Sequence, residues 1–384
     1  MRTQIKKIGI LTGGGDCPGL NSVIYGIMLK AYDAGIDCIG ILKGWKGFLE
    51  NITMPLNIAE HDDLHTVGGT ILYTSRTNPF KGVDSKEERA KELIKKFDDL
   101  GIDALIAIGG DDTLGVADAI YKYANAKVVG VPKTIDNDLA GTHYTFGFWS
   151  ATQLASNAMD NLTTTAHSHQ RVFVVEVMGR DAGFLTMYSG LSAGADIILI
   201  PETPFDFERD VIDVLKKRVN AGYKYHIIAT SEGAYPNLES LERDFKTISQ
   251  EKIDKLPKDT FGNPLLAKLI ISKIIVEELN LRDDLKQEFQ KNGVDFECRN
   301  VVLGHTMRAG TPNSFDRILG LRFGLAVMKL VLKGKFGNMV SLQGNKIETI
   351  PLSEGIKKKY ITADNDKMEL RDLLVKIRYL SKQK

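Results

Sequence analysis

LIAIGGDDTLGVADAI runs from Leu105 to Ile120. It opens as an apolar run, breaks at Gly109–Gly110, and resumes with the spacing of an amphipathic helix. Strand, glycine turn and helix N-terminus together make an anion cradle, because the N–H groups of a first helical turn have no partner inside the helix. Two aspartates, Asp111 and Asp112, stand at the turn where a phosphate is expected. One carboxylate suits a hard cation that also takes phosphate oxygens. The second needs another explanation.

The same pattern recurs along the chain. KIGIL (7–11), CIGIL (38–42), KVVGV (127–131), RVFVVEV (171–177), DIILI (196–200), HIIAT (226–230) and NVVLG (300–304) read as strands, like ALIAI (104–108). Helical patterns lie between several of them, at 87–100, 114–125 and 206–221. Continuous apolar strands alternating with helices predict parallel sheets in a doubly wound α/β architecture. A chain of 384 residues exceeds one compact core, so two such domains are expected. A polar, Trp-containing stretch near 141–150 reads as the passage between them. Residues 235–298, with a helical pattern from Leu265 to Gln290, read as a helical insertion.

Bulk chemistry narrows the function classes. A formal net charge of +1 gives no case for nucleic acid or a membrane surface as partner. The apolar runs are far shorter than a membrane span, and MRTQIKKIGILTGGG reads as a first strand rather than a signal peptide. The three cysteines, Cys17, Cys38 and Cys298, are odd in number and widely spaced, so free thiols in a reducing cytoplasm are expected.

Polar groups follow the strands. GGGD comes after KIGIL, GGDD after ALIAI, PKTIDND after KVVGV, MGRDAG after RVFVVEV, SEG after HIIAT and HTMR after NVVLG. The carboxyl edge of an open α/β sheet is where ligands bind. LTGGGDCPGLN (11–21) fits either a phosphate loop around Gly14 or a tight turn capped by Asp16 or Asn21. It matches neither G-x-G-x-x-G nor the P-loop pattern. In GGDDT (109–113), Asp111 suits Mg²⁺, while Asp112 or Thr113 has the chemistry of a helix cap. In PKTIDND (132–138), Asp136 and Asp138 point the same way if the loop is extended, and crowded carboxylates suit proton abstraction from a hydroxyl. Lys133 and Thr134 offer donors to phosphate oxygens. Arg76, Arg171, Arg180, Arg299 and Arg308, with His305, have the forks and charge that phosphates select, or are surface ion-pair partners. Glu232 suits sugar hydroxyls, or is an ordinary loop acid.

Taken in order, GGGDCPGLN, GGTILYTSR, IGGDDT, PKTIDND, VVEVMGRDAG, SEG and RNVVLGHTMRAGTPNSFDRILG resemble the phosphofructokinase family over roughly residues 5 to 330. The resemblance implies two α/β domains: 1–147 plus about 307–340 for the phosphoryl donor, and 148–306 plus about 341–384 for the sugar phosphate. It implies phosphorylation of fructose 6-phosphate at its C1 hydroxyl. Asp136 is then the base, with Thr134 and Asp138 beside it at the sugar and the transferred phosphoryl group. Lys133 and Arg180 belong to the same catalytic set. Asp111 is the Mg²⁺-linked carboxylate, and Gly14, Arg76 and Thr113 belong to the donor site. Met178, Gly179, Arg180 and Glu232 contact fructose 6-phosphate, and His305 and Arg308 its 6-phosphate. Arg171 and Arg299 match arginines supplied to a neighbouring subunit, which implies a homodimer or homotetramer. The arginines of the bacterial effector site are matched by Tyr25 and Leu29, so that control is not expected.

The resemblance also gives Asp112 a meaning. Members using ATP typically carry glycine there and often at Lys133, whereas members using pyrophosphate carry aspartate and lysine. A carboxylate 4 Å from a nucleotide phosphate charge costs about 4 kcal/mol at an effective dielectric of 20, nearly a thousandfold in affinity. The expectation is therefore reversible, Mg²⁺-dependent transfer from pyrophosphate. An ATP-dependent enzyme is the alternative, and a catalytically inactive sugar-phosphate sensor a more remote one. An NAD-dependent dehydrogenase lacks its glycine fingerprint here.

Overall fold

The computed structural model describes residues 5–248, 251, 255–257, 270–364 and 366–377. Their contacts divide into two units. The first holds the described residues up to Ala151 together with Arg308–Lys359, and the second holds Thr152–Met307 with the described residues from Tyr360 on.

The first unit is built on a seven-stranded sheet. Its strands are β1 (Lys7–Thr12), β2 (Asp37–Ile41), β3 (Thr53–Leu56), β4 (Ala104–Gly109) and β5 (Val128–Pro132), then β10 (Asn338–Gln343) and β11 (Lys346–Pro351) late in the chain. The order is β11-β10-β5-β4-β1-β2-β3. β10, β5, β4, β1 and β2 run parallel, and β3 and β11 close the edges antiparallel. β4 and β5 are buried along their whole length, as strands covered on both faces must be. Leu105, Ala107 and Val128 pack with Trp45, Phe48, Leu93, Phe97 and Ile120 from the flanking helices. From β1 the chain builds outward to β2 and β3, then returns to β4 on the other side. The crevice beyond the ends of β1 and β4 is therefore the switch point of the sheet, where open α/β folds bind ligands.

The second unit carries four parallel strands in the order β7-β8-β6-β9. These are β6 (Val172–Val177), β7 (Ile197–Leu199), β8 (His226–Ser231) and β9 (Cys298–Val302). Here β6 lies between β8 and β9 and marks the corresponding switch point.

Three expectations are revised. The C-terminal division assigns 341–384 to the second domain, but Ser341–Lys359 belong to the first unit. The reason is that β10 pairs with β5 and β11 with β10. The helical pattern 265–290 is two helices among the described residues, Ile271–Leu281 and Asp283–Lys291, parted at Arg282; residues 265–269 lie outside the described ones. The two helices pack into the core of the second unit. Ile271, Ile275, Leu279, Leu285 and Phe289 are fully buried in one core with Val172, Val174 and Ile228 of the sheet. Finally, the helical pattern at 206–221 begins as a wide π-turn at Glu208–Ile212 before the α-helix Asp213–Asn220.

Candidate functional site

The first unit brings three predicted loops to its switch point. Gly13 N–H donates to the Ile108 carbonyl at 3.0 Å, tying the loop after β1 to the end of β4. Lys133 N–H donates to the Gly109 carbonyl at 2.9 Å, tying the loop after β5 to the same strand. Gly14 has φ +82°, a conformation only glycine adopts at little cost. Its N–H donates to the Ser75 carbonyl at 3.0 Å, and its carbonyl accepts from Thr74 Oγ1 at 2.5 Å. The neighbouring Arg76 is thereby held beside the glycine loop with its side chain exposed.

Neither glycine turn is closed by a side-chain cap. Helix Leu20–Asp33 starts at Gly19 and helix Asp111–Ala124 at Gly110, each without a side-chain hydrogen bond. The Asn21 side chain instead bonds the Val67 and Gly68 carbonyls and Ile71 N–H. Asp112 and Thr113 do not cap their helix either. Thr113 is buried beneath the turns, its carbonyl accepting from Trp45 Nε1 at 3.2 Å, while Asp112 is exposed. The N–H groups opening helix Asp111–Ala124 thus remain available to an anion.

Two cations line the glycine loop. Lys133 is buried, and its Nζ donates to the Gly15 carbonyl at 2.5 Å. Burial pulls its ammonium below the usual lysine range, Arg308 acts in the same direction, and Asp136 and Asp16 act against them. An arriving anion acts against this shift. Arg308 Nη1 donates to the Asp16 carbonyl at 3.3 Å. A Cβ on Gly15 would lie 2.5 Å from that nitrogen, so glycine is what lets the guanidinium approach. The sequence reading groups Arg308 with His305 on one phosphate. In the structure both lie on the 3₁₀ turn Gly304–Arg308, with His305 exposed and the Arg308 guanidinium resting on the glycine loop.

The loop Lys133–Asp138 is held from within. Asp136 N–H donates to Thr134 Oγ1, and Thr145 Oγ1 donates to the Thr134 carbonyl at 2.6 Å. Asn137, at φ +53°, bonds the His143 carbonyl and Thr145 N–H through its side chain. Asp136 is half-buried, and Asp138 is buried. Asp138 also pairs with a residue that sequence reading missed. Lys358 Nζ lies 3.4 Å from Asp138 Oδ2 and 3.6 Å from Asp111 Oδ2.

At the second switch point, Met178–Gly179–Arg180 follows β6, and Glu232–Gly233 follows β8, which ends at Ser231. Glu232 N–H donates to the Val177 carbonyl at 2.9 Å, and Ser231 Oγ to the Gly179 carbonyl at 2.5 Å. Arg180 is exposed and forms a two-bond fork with Asp181. Glu176, not singled out from sequence, accepts from Ser272 Oγ. Burial raises its carboxyl above the usual range against that hydrogen bond, and Glu232 adds to the rise.

Arg171 and Arg299 sit elsewhere. Arg171 precedes β6, and Arg299 pairs with Phe173 near its start. At about 3.3 Å per residue, the strand carries Met178 roughly 20 Å from Arg171. The two arginines share Glu297, another residue missed from sequence. Burial alone would raise the Glu297 carboxyl, but the hydrogen bonds from Arg171 and Arg299 hold it below the usual range. One chain therefore places this arginine pair at the opposite sheet edge from its own Met178–Arg180 loop.

The family model described as "Phosphofructokinase" matches residues 7–331. A pyrophosphate–fructose 6-phosphate 1-phosphotransferase of Amycolatopsis methanolica is 44% identical over 350 residues, 91% of this chain and 94% of the relative. An ATP-dependent 6-phosphofructokinase 3 of Streptomyces coelicolor is 39% identical over 352 residues, 91% of this chain and 95% of the relative. Among solved structures, the phosphofructokinase of Saccharomyces cerevisiae aligns with a TM-score of 0.70 at 26% identity, covering 98% of this chain and 48% of that one. This chain thus spans about half the length of the yeast protein. The fold also matches a pyrophosphate-dependent phosphofructokinase from Marinobacter aquaeolei, with a TM-score of 0.74 at 20% identity, covering 98% and 92% of the two chains. The chain belongs to the phosphofructokinase family.

Proposed function

We propose that this chain transfers a phosphoryl group from pyrophosphate to the C1 hydroxyl of fructose 6-phosphate, reversibly, giving fructose 1,6-bisphosphate and phosphate. The observation that carries the donor assignment is that Asp112 is exposed in the first turn of helix Asp111–Ala124 while the Lys133 ammonium lies on the Gly15 carbonyl. The anion cradle thus carries a cation at the loop and a carboxylate at the helix. A short phosphate chain uses the first and stops before the second, whereas a nucleotide must pass the second. The relatives named for pyrophosphate, at 42–44% identity, support the same choice over those named for ATP, at 37–39%.

Asp136 accepts the sugar hydroxyl proton as the oxygen attacks, and Thr134 and Asp138 orient the groups around it. Lys133 and the Arg308 guanidinium neutralise charge at the donor loop. Met178, Gly179, Arg180 and Glu232 hold the sugar, with His305 at its phosphate. In phosphoryl transfer such positioning and charge stabilisation do most of the catalysis. Asp111 fits a Mg²⁺ ligand: its side chain is 43% exposed, and it already holds a cation, the Lys358 ammonium, at 3.6 Å. Mg²⁺ is commonly held by one or two carboxylates plus substrate phosphates and, when bound, neutralises phosphate charge. Free Cys17, Cys38 and Cys298 accord with a cytoplasmic setting.

The test is a coupled assay with each donor at saturating fructose 6-phosphate and Mg²⁺. Pyrophosphate turnover at least a hundredfold above ATP turnover is expected. Equal turnover points to the ATP-dependent reading, and none with either donor to a sensor.

We also infer a homo-oligomer in which Arg171 and Arg299 complete a neighbour's sugar-phosphate site. The placement of the pair at the far end of β6 supports it. Arg171→Ala then raises the KM for fructose 6-phosphate about tenfold or more with the donor KM unchanged, as for a lost charged hydrogen bond of about 1.5–3 kcal/mol. Mixing Arg171→Ala with Asp136→Asn subunits restores activity above either parent. No recovery after subunit exchange counts against a shared site.

A further inference from the structure

The segment Lys357–Lys359 lies beyond the residues matched by the family model, yet it is laced to the loop that carries Asp136 and Asp138. Ala140 N–H donates to the Lys357 carbonyl at 2.7 Å, and Lys359 N–H to the Asp138 carbonyl at 2.8 Å, with Leu139 and Lys358 paired antiparallel. Lys359 Nζ adds bonds to the Thr142 and His143 carbonyls at 2.8 and 3.1 Å. Burial pulls its ammonium down to about 8, partly offset by Asp138. This one-residue bridge sets Lys358 opposite the loop, with its ammonium between Asp111 and Asp138.

The position of that ammonium is chemically specific. At 3.6 and 3.4 Å it is close enough for ion pairing with both carboxylates but outside the usual range of a strong charge-assisted hydrogen bond. Its side chain is 29% exposed, so it has room to leave. It stands where a cation shared by the two carboxylates would stand.

We propose that Lys358 is a positioning residue that acts as the resident counter-ion of Asp111 and Asp138, so that the donor site disfavours a bare divalent cation and accepts it together with pyrophosphate. This rests on Asp111 being the cation carboxylate. In the free protein, the ammonium keeps two acids from repelling each other. A bare divalent cation meets like charge at the place it would occupy. Pyrophosphate gives Lys358 another anion to pair with, which frees the carboxylates.

The test is Mn²⁺ binding to the full-length protein, followed by water-proton relaxation without substrate and then with pyrophosphate. The parent is expected to bind Mn²⁺ weakly alone and more tightly with pyrophosphate. Lys358→Met is expected to bind Mn²⁺ alone at least tenfold more tightly than the parent, and Lys358→Gln likewise, while Lys358→Arg follows the parent. Parent-like Mn²⁺ binding in both neutral variants overturns the proposal. Asp111→Ala separates the two layers. If it keeps the pyrophosphate-promoted binding, the assignment of Asp111 falls and the proposal with it; if it loses that binding while the neutral variants stay parent-like, only the role of Lys358 falls.

Discussion

Asp136→Asn is expected to lower kcat about a thousandfold while leaving both KM values within a few-fold. A positioned general base contributes about 10²–10⁴-fold, and the asparagine keeps the shape of the side chain while removing its basicity. The loop gives little reason for a structural side effect. Its backbone is fixed by Lys133 N–H on Gly109, by Thr145 on Thr134, by the Asn137 amide and by Lys359 N–H on Asp138. The Asp136 N–H bond to Thr134 Oγ1 uses the backbone and survives the change. Steady-state kinetics in both directions, with equilibrium binding of fructose 6-phosphate, provide the check. The loss must appear in forward and reverse reactions alike, because the group that takes the proton from C1 oxygen returns it. A kcat within tenfold of the parent removes Asp136 from the role of base. Asp138→Asn is a useful contrast, since that carboxylate is buried and paired with Lys358.

The parallel strands were legible because burial on both faces demands unbroken apolar runs, as in ALIAI and KVVGV. The edges were not. β3 is four residues long and contains a proline, and only two residues of β11 are even partly covered. Neither needs an apolar run, because each pairs on one side only. That obscurity had a consequence: without β10 and β11, residues 341–359 carried no sign of belonging to the first unit. Much of the candidate site follows the same logic. The glycine turns and PKTIDND announce themselves because unusual residues sit directly after strands. Lys358 gives no such sign. It is one lysine in KKKY, brought to Asp138 by pairing across some two hundred residues. Glu297 was hidden for a related reason. An acid between two arginines in sequence space has meaning only once β9 is laid beside β6.

The donor preference should be reversible by two substitutions. In Asp112→Gly with Lys133→Gly, the ratio of kcat/KM for pyrophosphate to that for ATP is expected to fall about a thousandfold. The two changes act on different terms. Removing Lys133 takes a buried cation from the Gly15 carbonyl and from any phosphate resting there. A hydrogen bond to a charged group is worth about 1.5–3 kcal/mol, or roughly ten- to hundredfold in pyrophosphate use. Removing Asp112 instead relieves repulsion against the longer chain of ATP. Its full Coulomb value at an effective dielectric of 20 approaches a thousandfold, but the side chain is exposed and water screens it, so about tenfold to a hundredfold is the reasonable gain. The single variants should therefore diverge: Asp112→Gly mainly raises ATP use, and Lys133→Gly mainly lowers pyrophosphate use. Raising salt should shrink the first effect more than the second, because Lys133 is buried and Asp112 is not. Lys133 N–H is bonded to Gly109, at the turn that opens the helix bearing Asp112, so the two effects need not add. Kinetics of the parent, both singles and the double variant with each donor measure that coupling. A ratio unchanged within threefold in the double variant would show that the phosphate chain is limited by something other than this pair of charges.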